Sequence, residues 1–465
     1  MVAKNEDICK QRIHSFEITE EKLTERGGIS LFVRYLESIG IYGLILPFFE
    51  MLKKTKKGTS IGNIFKQIMC FFFDGTNFSL TRFDELAANE AYAESIENNK
   101  EAMCSSHTIK RFLGAFKYFI IWRFRVILQK LFIWRLKITK PTMIILNIDS
   151  MVMDNDDSER KEGVKPTYKK VKGFHPLQLS WNNYIIDAIF RGGSVHGNHG
   201  DAVLKMVRHI VNLIREEYNA NVAIMIRCDS AFFDESLFKD WDKLGIGFIC
   251  AGKMYEDLKE DLSFVHKEDY ALYETETQSW EYIEFFNRRA SWNKPYRTIY
   301  YKPLYEGRQQ LLEFARPDRL LYTNIGMNKK IDCYLKNTDN GIYRHPEQII
   351  SLYHQRGEDE LTFRALKDFG TEHLPCKRFE SNAAYYYLML IAFFLFESFK
   401  EDVTAPIIRL KSYATTVRRI IVDIAAKIVH KAGRVCLKIT RAIADRLHIF
   451  QLWHNCNHVS PIIIS

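Results

Sequence analysis

Two apolar stretches, MIILNID (Met143 to Asp149) and NVAIMIRCD (Asn221 to Asp229), each run into an aspartate, and they constrain the architecture of this 465-residue chain more than any other feature. Short apolar runs bounded by turn-forming residues read as buried strands. In an α/β sheet, ligand sites form at the carboxyl ends of such strands. An aspartate closing a strand also suits a turn or a helix cap, so both readings stand for each residue taken singly.

The segments around these stretches predict an order of elements. HPLQLSW (His175 to Trp181) and NYIIDAIF (Asn183 to Phe190) read as strands, followed by a helix from about Asp201 to Glu217. After Asp229 come a helix near Glu235 to Leu244 and a strand, IGFICAG. Three strands able to pair antiparallel, a helix, a strand, a helix and a strand is the order of a ribonuclease-H-like α/β core. Residues 1–140 read as helical, with apolar residues at roughly 3.6 spacing in Ile29 to Phe49, Ser60 to Phe73 and Thr108 to Leu136. From Met254 to Tyr343 the pattern turns β-rich (WEYIEFF, YRTIYYK, RLLYTNIG), as an inserted β-domain would. Helical patterning returns from Pro346 to Phe369, Asn382 to Phe399 and Thr415 to Lys431. The expected organisation is a helical N-terminal region for binding DNA (1–140), a core split into 141–253 and 346–400 by a β-insertion (254–345), and a basic helical C-terminal region (401–465).

Charge is unevenly spread. The net charge is +9, and Lys110 to Lys140 holds nine Lys or Arg and no acid, interleaved with Phe112, Phe116, Tyr118, Trp122 and Phe124. Such a segment suits phosphates, a membrane surface or a solvated helix face, and the segment alone does not choose. Nine cysteines without a CxxC pair imply reduced thiols. The longest uninterrupted apolar run, Ala383 to Phe396, is short for a bilayer span. A cytoplasmic, nucleoid-associated protein with no membrane partner is expected.

Tyr353, Arg356, Glu360 and Lys367 fall on one narrow face of a predicted continuous helix, at about 100° per residue. A solvated stripe with an Arg356 to Glu360 ion pair is the plain alternative, stabilising by only ~0.3–0.5 kcal/mol. The spacing Tyr, two residues, Arg, three residues, Glu, six residues, Lys nevertheless resembles the YREK signature of the DDE transposases of bacterial insertion sequences. The surroundings resemble that group too: NIDS at Asp149, KGFHPLQL at His175, RGGSVHGNHGD, RCDSAFFDESLF at Asp229, LLYTNIG, and SNAAYYYLMLIAFFLFE.

The resemblance implies a transposase that cleaves DNA and transfers strands by cut and paste after binding terminal inverted repeats. Its catalytic and metal-holding carboxylates would be Asp149, Asp229 and Glu360, carrying two Mg²⁺ ions for which Mn²⁺ can substitute. Hard divalent ions take oxygen ligands, and a pair of them can sit astride one phosphate. Tyr353, Arg356 and Lys367 would grip DNA near the cut. Arg364 and His199 are further candidate DNA contacts, and Trp280 or Trp292 would stack a flipped base, worth ~1–3 kcal/mol. The implied partners are double-stranded terminal-repeat and target DNA, with a homodimer in the synaptic complex. The rivals are a metal-dependent nuclease without strand transfer and a catalytically silent DNA-binding derivative. Gly357 is a weak point in the signature helix, costing ~1 kcal/mol relative to alanine.

Overall fold

Five strands, β1 (Met143–Ser150), β2 (Leu177–Trp181), β3 (Tyr184–Ile189), β4 (Ala223–Cys228) and β5 (Gly247–Ala251), carry largely apolar, buried stretches into the centre of the fold. The computed structural model describes residues 13, 15–53, 58–157, 160–195, 201–276, 278–304, 318–336, 339–405 and 407–463, and at 339 and 358–360 the backbone alone. β1 pairs antiparallel with β2 and parallel with β4; β2 pairs antiparallel with β3, and β4 parallel with β5. β4 is buried at all six positions, as expected for a parallel strand covered on both faces. The spatial order 3-2-1-4-5 is that of a mixed α/β sheet consistent with a ribonuclease-H-like core. Between β2 and β3 the two-residue turn places Asn182 at φ +51, a left-handed conformation that asparagine tolerates.

The β-rich segment continues this sheet. β6 (Ala271–Glu274), β7 (Ser279–Asn287), β8 (Tyr296–Leu304) and β9 (Arg319–Thr323) form an antiparallel meander whose last strand pairs with β5, Leu321 opposite Ala251 and Thr323 opposite Ile249. The result is one nine-stranded sheet in which the 253/254 boundary expected from sequence falls. The physical reason lies in β5. Four of its five residues are buried, so its outer edge requires a partner for its backbone N–H and C=O groups.

Among the helices, those that frame the sheet and the site are α1 (Ile29–Ser38), α2 (Ile61–Asp74), α3 (Ser106–Ala115), α4 (Tyr118–Thr139), α5 (Ala202–Glu217), α6 (Glu235–Leu244), α7 (Pro346–His354), α8 (Gly357–Phe369) and α9 (Phe379–Phe399). α9 is packed by α2, α3, α4 and β3, and its face-independent apolarity follows from burial on all sides. With its continuation to Thr404 it is long and apolar enough to cross a membrane, yet 89% of its most apolar window lies inside the fold.

The basic, aromatic run from Lys110 to Lys140 is mostly structural. Phe112, Phe116 and Phe124 are core residues, and Phe124 stacks on Tyr387 with ring centroids 5.7 Å apart. Arg125 forms a two-pronged bond to the buried Asp187 at 2.7 Å on each arm, and Arg135 binds Asp402 and Glu401. Tyr118 and Trp122 remain exposed. The helix expected from Thr415 to Lys431 is shorter than its pattern suggested: Ala414–Val417 passes into a π turn, then β10 (Ala426–Lys431) and β11 (Arg434–Lys438) form a hairpin. Ala432 and Gly433, both at positive φ, make its two-residue turn.

Candidate active site

The parallel register of β1 and β4 sets the two aspartates side by side. Ile148 lies opposite Cys228, so Asp149 and Asp229 are the next residues along at the carboxyl ends of neighbouring strands, which run ~4.8 Å apart. Each uses one oxygen locally: Asp149 Oδ1 accepts from Ser150 N at 2.7 Å, and Asp229 Oδ1 accepts from Ala231 N at 2.9 Å. Their second oxygens converge on one cation. Arg356 Nη2 lies 2.9 Å from Asp149 Oδ2 and 3.8 Å from Asp229 Oδ2, so these oxygens are no farther apart than the sum of those distances. Two carboxylates so placed suit a pair of hard cations, which sit ~3.5–4 Å apart in two-metal sites.

Burial opposes the charge on Arg356, but Asp149, Tyr353 and Asp229 outweigh it and hold the guanidinium above its usual pKa. Tyr353 is pushed up to about 12, chiefly by burial, and stays neutral at physiological pH. Burial, with a contribution from Arg319, lowers the pKa of the neighbouring His354. The His354 ring lies 4.7 Å from Trp280 and 5.4 Å from Tyr301.

The layer beneath this site escaped the sequence reading. Buried Arg227 donates to Asn147 Oδ1 at 2.7 Å and to the Leu352 carbonyl at 2.6 Å. It thereby ties the last turn of α7, next to Tyr353, to both carboxylate-bearing strands. The signal was present: Asn147 and Arg227 interrupt apolar strands two residues before each aspartate, hence on the same face.

The Tyr-Arg-Glu-Lys helix differs from expectation. It is two helices, α7 ending at His354 and α8 starting at Gly357, with Arg356 in the break between them. The break falls beside the glycine, where helix propensity is weakest. Tyr353 and Arg356 therefore meet across a break and do not share one continuous face. Glu360 lies on α8 about one turn beyond Arg356, and its side chain is outside the described residues. Lys367, farther along α8, pairs with Glu372, and Arg364 is exposed.

Trp292 requires a correction. Only 8% exposed, it packs among Phe233, Phe238, Tyr296 and Tyr322, so its ring is committed to the core and has no face for a flipped base. Trp280 is half-buried against His354. His199 lies outside the described residues. Among the described residues no group of three His, Cys, Asp or Glu side chains gathers as a metal site, and the pair Asp149 and Asp229 is what the described side chains supply.

Adjacent carboxylates at the ends of parallel strands, in a mixed sheet of this order, are the framework of a metal-dependent phosphoryl transferase. The chain matches the family described as Transposase DDE domain group 1 over residues 8–460, and it belongs to that family. It is a DDE transposase, an enzyme of phosphoryl transfer that cleaves and joins strands of DNA, its partner; such enzymes depend on divalent metal ions. The chain also aligns with a cryo-EM structure of the piggyBac transposase synaptic complex with hairpin DNA, at 14% identity and a TM-score of 0.43, covering 86% of this chain and 81% of that one. No curated protein matches it in sequence.

Proposed function

We propose that this chain is the YREK-type transposase of a bacterial insertion sequence, acting at the nucleoid to excise and reinsert the element by cut and paste. It binds the terminal inverted repeats and works as a homodimer in the synaptic complex, because two ends must be held together for joining. Asp149, Asp229 and Glu360 are the catalytic carboxylates, holding two Mg²⁺ ions that Mn²⁺ can replace. The observation that carries this reading is the convergence of Asp149 Oδ2 and Asp229 Oδ2 on a single positive group.

Bound there, the ions would activate a water or a 3′-hydroxyl and stabilise the leaving oxygen. The protein's own side chains position the strand. Arg356 offers a planar fork that matches phosphate oxygens in pairs, Tyr353 donates a neutral hydroxyl, and Lys367 adds a point charge.

The test is incubation of the purified chain with labelled terminal repeats, target DNA and Mg²⁺. Nicks at the repeat ends followed by joined products are expected. Cleavage without joining reduces the protein to a nuclease, and binding without any cleavage makes it a silent DNA-binding derivative.

A further inference from the structure

Three short segments between Met153 and Phe174 form a small sheet of their own. Met153–Asp154 and Lys165–Pro166 each pair antiparallel with Lys172–Phe174. The tip closes on itself through Thr167 N to Val171 O at 2.9 Å and Lys170 N to Thr167 O at 3.0 Å, with Lys170 at φ +64. From Gly163 to Gly173 the hairpin carries Lys165, Lys169, Lys170 and Lys172, and no acid. All four lysines are exposed, and among the described residues none is ion-paired.

The hairpin is seated firmly. Gly193 approaches so closely that a Cβ there would lie 2.1 Å from the Lys165 carbonyl oxygen and 2.5 Å from that of Gly173. Gly192 and Gly193, in the glycine-rich loop after β3, are therefore the platform on which the lysine strands rest. The neighbouring acids are engaged outside the lysine tip: Asp154 Oδ1 accepts from Asp156 N, Asp156 Oδ1 from Lys172 N and Glu162 Oε2 from Phe379 N, and Asp157 lies 3.8 Å from His373.

The tip lies beside the strand ends that carry the carboxylates: Tyr168 packs against His175, and the adjacent Pro176 carbonyl accepts from Met151 N at 3.1 Å, two residues past Asp149. The Tyr168 ring, 63% exposed, lies 5.2 Å from that of His175, which leads into β2, where Gln178 stands opposite Asp149. Partial burial, then the negative charge of Asp149 and Asp229, holds the Tyr168 hydroxyl above its usual pKa. Lys169 sits over the Tyr168 ring at 5.9 Å, and four like charges with no ion-pair partner among the described residues form a patch that favours an anion.

We propose that the Lys165–Lys172 hairpin is a phosphate-gripping finger for DNA, holding the backbone of the strand that enters the Asp149 and Asp229 pair, with Tyr168 laid along that strand. This deepens the transposase reading and rests on it. The lysines fix position without reading sequence, as phosphate contacts do.

The test compares wild type, Lys169→Ala/Lys170→Ala and Tyr168→Ala. A control, Lys329→Ala/Lys330→Ala, removes two charges from a segment whose Lys330 packs on Gly245, ahead of the start of β5 and at the opposite end of the sheet. Binding to a terminal-repeat duplex is measured in EDTA across salt concentrations, and cleavage separately in Mg²⁺. The hairpin double variant should lower the slope of log affinity against log salt by about two, at ~0.9 per phosphate contact, with unchanged melting temperature. Tyr168→Ala should slow cleavage more than it weakens binding, and the control should leave the slope as in wild type. An unchanged slope in the hairpin variant, with wild type binding and cleaving normally, overturns the finger alone. A wild type that neither binds nor cleaves overturns the transposase reading beneath it.

Discussion

Arg356 donates through Nη2 to Asp149 Oδ2 at 2.9 Å, and the same nitrogen is 3.8 Å from Asp229 Oδ2. A fixed positive group thus stands where the proposed metal ions would compete for the same oxygens. Arg356→Gln leaves two carboxylates facing each other, so it should destabilise the metal-free protein by about 1–2 kcal/mol after allowance for solvent access. Mn²⁺ should restore more of the melting temperature in the variant than in wild type. Equal Mn²⁺ responses would contradict the shared position.

Asp149→Asn and Asp229→Asn keep size and local hydrogen bonding but remove the anionic oxygens. Cleavage of terminal-repeat DNA should fall on the order of 10³-fold or more, with DNA binding in EDTA retained. Glu360→Gln should behave alike if its helix delivers the third carboxylate. Gel assays of nicking and binding on the same preparations separate the two effects, and near-wild-type nicking by any one variant removes that residue from the site.

Arg227 joins β1, β4 and the end of α7 through Asn147 and the Leu352 carbonyl. Arg227→Met fills similar volume and leaves both acceptors without their charged donor. Each such bond is worth about 1.5–3 kcal/mol, so a loss in that range or above should appear in urea denaturation. A variant as stable as wild type would show that the tie carries no load.

The Arg125 and Asp187 pair is the counterpart on the far side of the sheet. Asp187 is fully buried and also accepts from Gln129 Nε2 at 3.2 Å and from Ala188 N at 2.8 Å. Arg125→Ala leaves an uncompensated buried carboxylate and should cost about 3–5 kcal/mol, whereas replacing both residues with apolar ones should recover much of that loss. Denaturation of the single and double variants decides it.

Glu397 supplies a pH test. Burial, partly offset by Lys400, raises its carboxyl to about 7. The folded state therefore holds a proton there that the unfolded chain has lost above its lower pKa, and stability from this group declines as pH rises toward 7. Glu397→Gln should match wild type near pH 4 and gain relative to it by pH 8. Melting curves at both values check the sign; a gain confined to low pH would reverse it.

The sequence carried the local information well. β1 and β4, the aspartates at their ends, and the strand and helix order of the core were legible because each depends on apolar runs and turn residues close in the chain. What escaped it is non-local. No periodicity announces that Arg319–Thr323 pairs with Gly247–Ala251, because strand pairing is chosen by burial of both edges. Trp292 and the arginines of α4 looked like nucleic-acid contacts only while their buried partners were unknown. Helical spacing carried Tyr353 through to Lys367 without the interruption at Arg356, although Gly357 marked the place.

The pairing of β9 with β5 also bears on how the enzyme handles a substrate. Ladder hydrogen bonds run without a gap from the strand holding Trp280, through β8, β9 and β5, to those ending in Asp229 and Asp149. A lamina of this kind resists in-plane sliding, so the distance from the outer meander to the two aspartates is set when the chain folds.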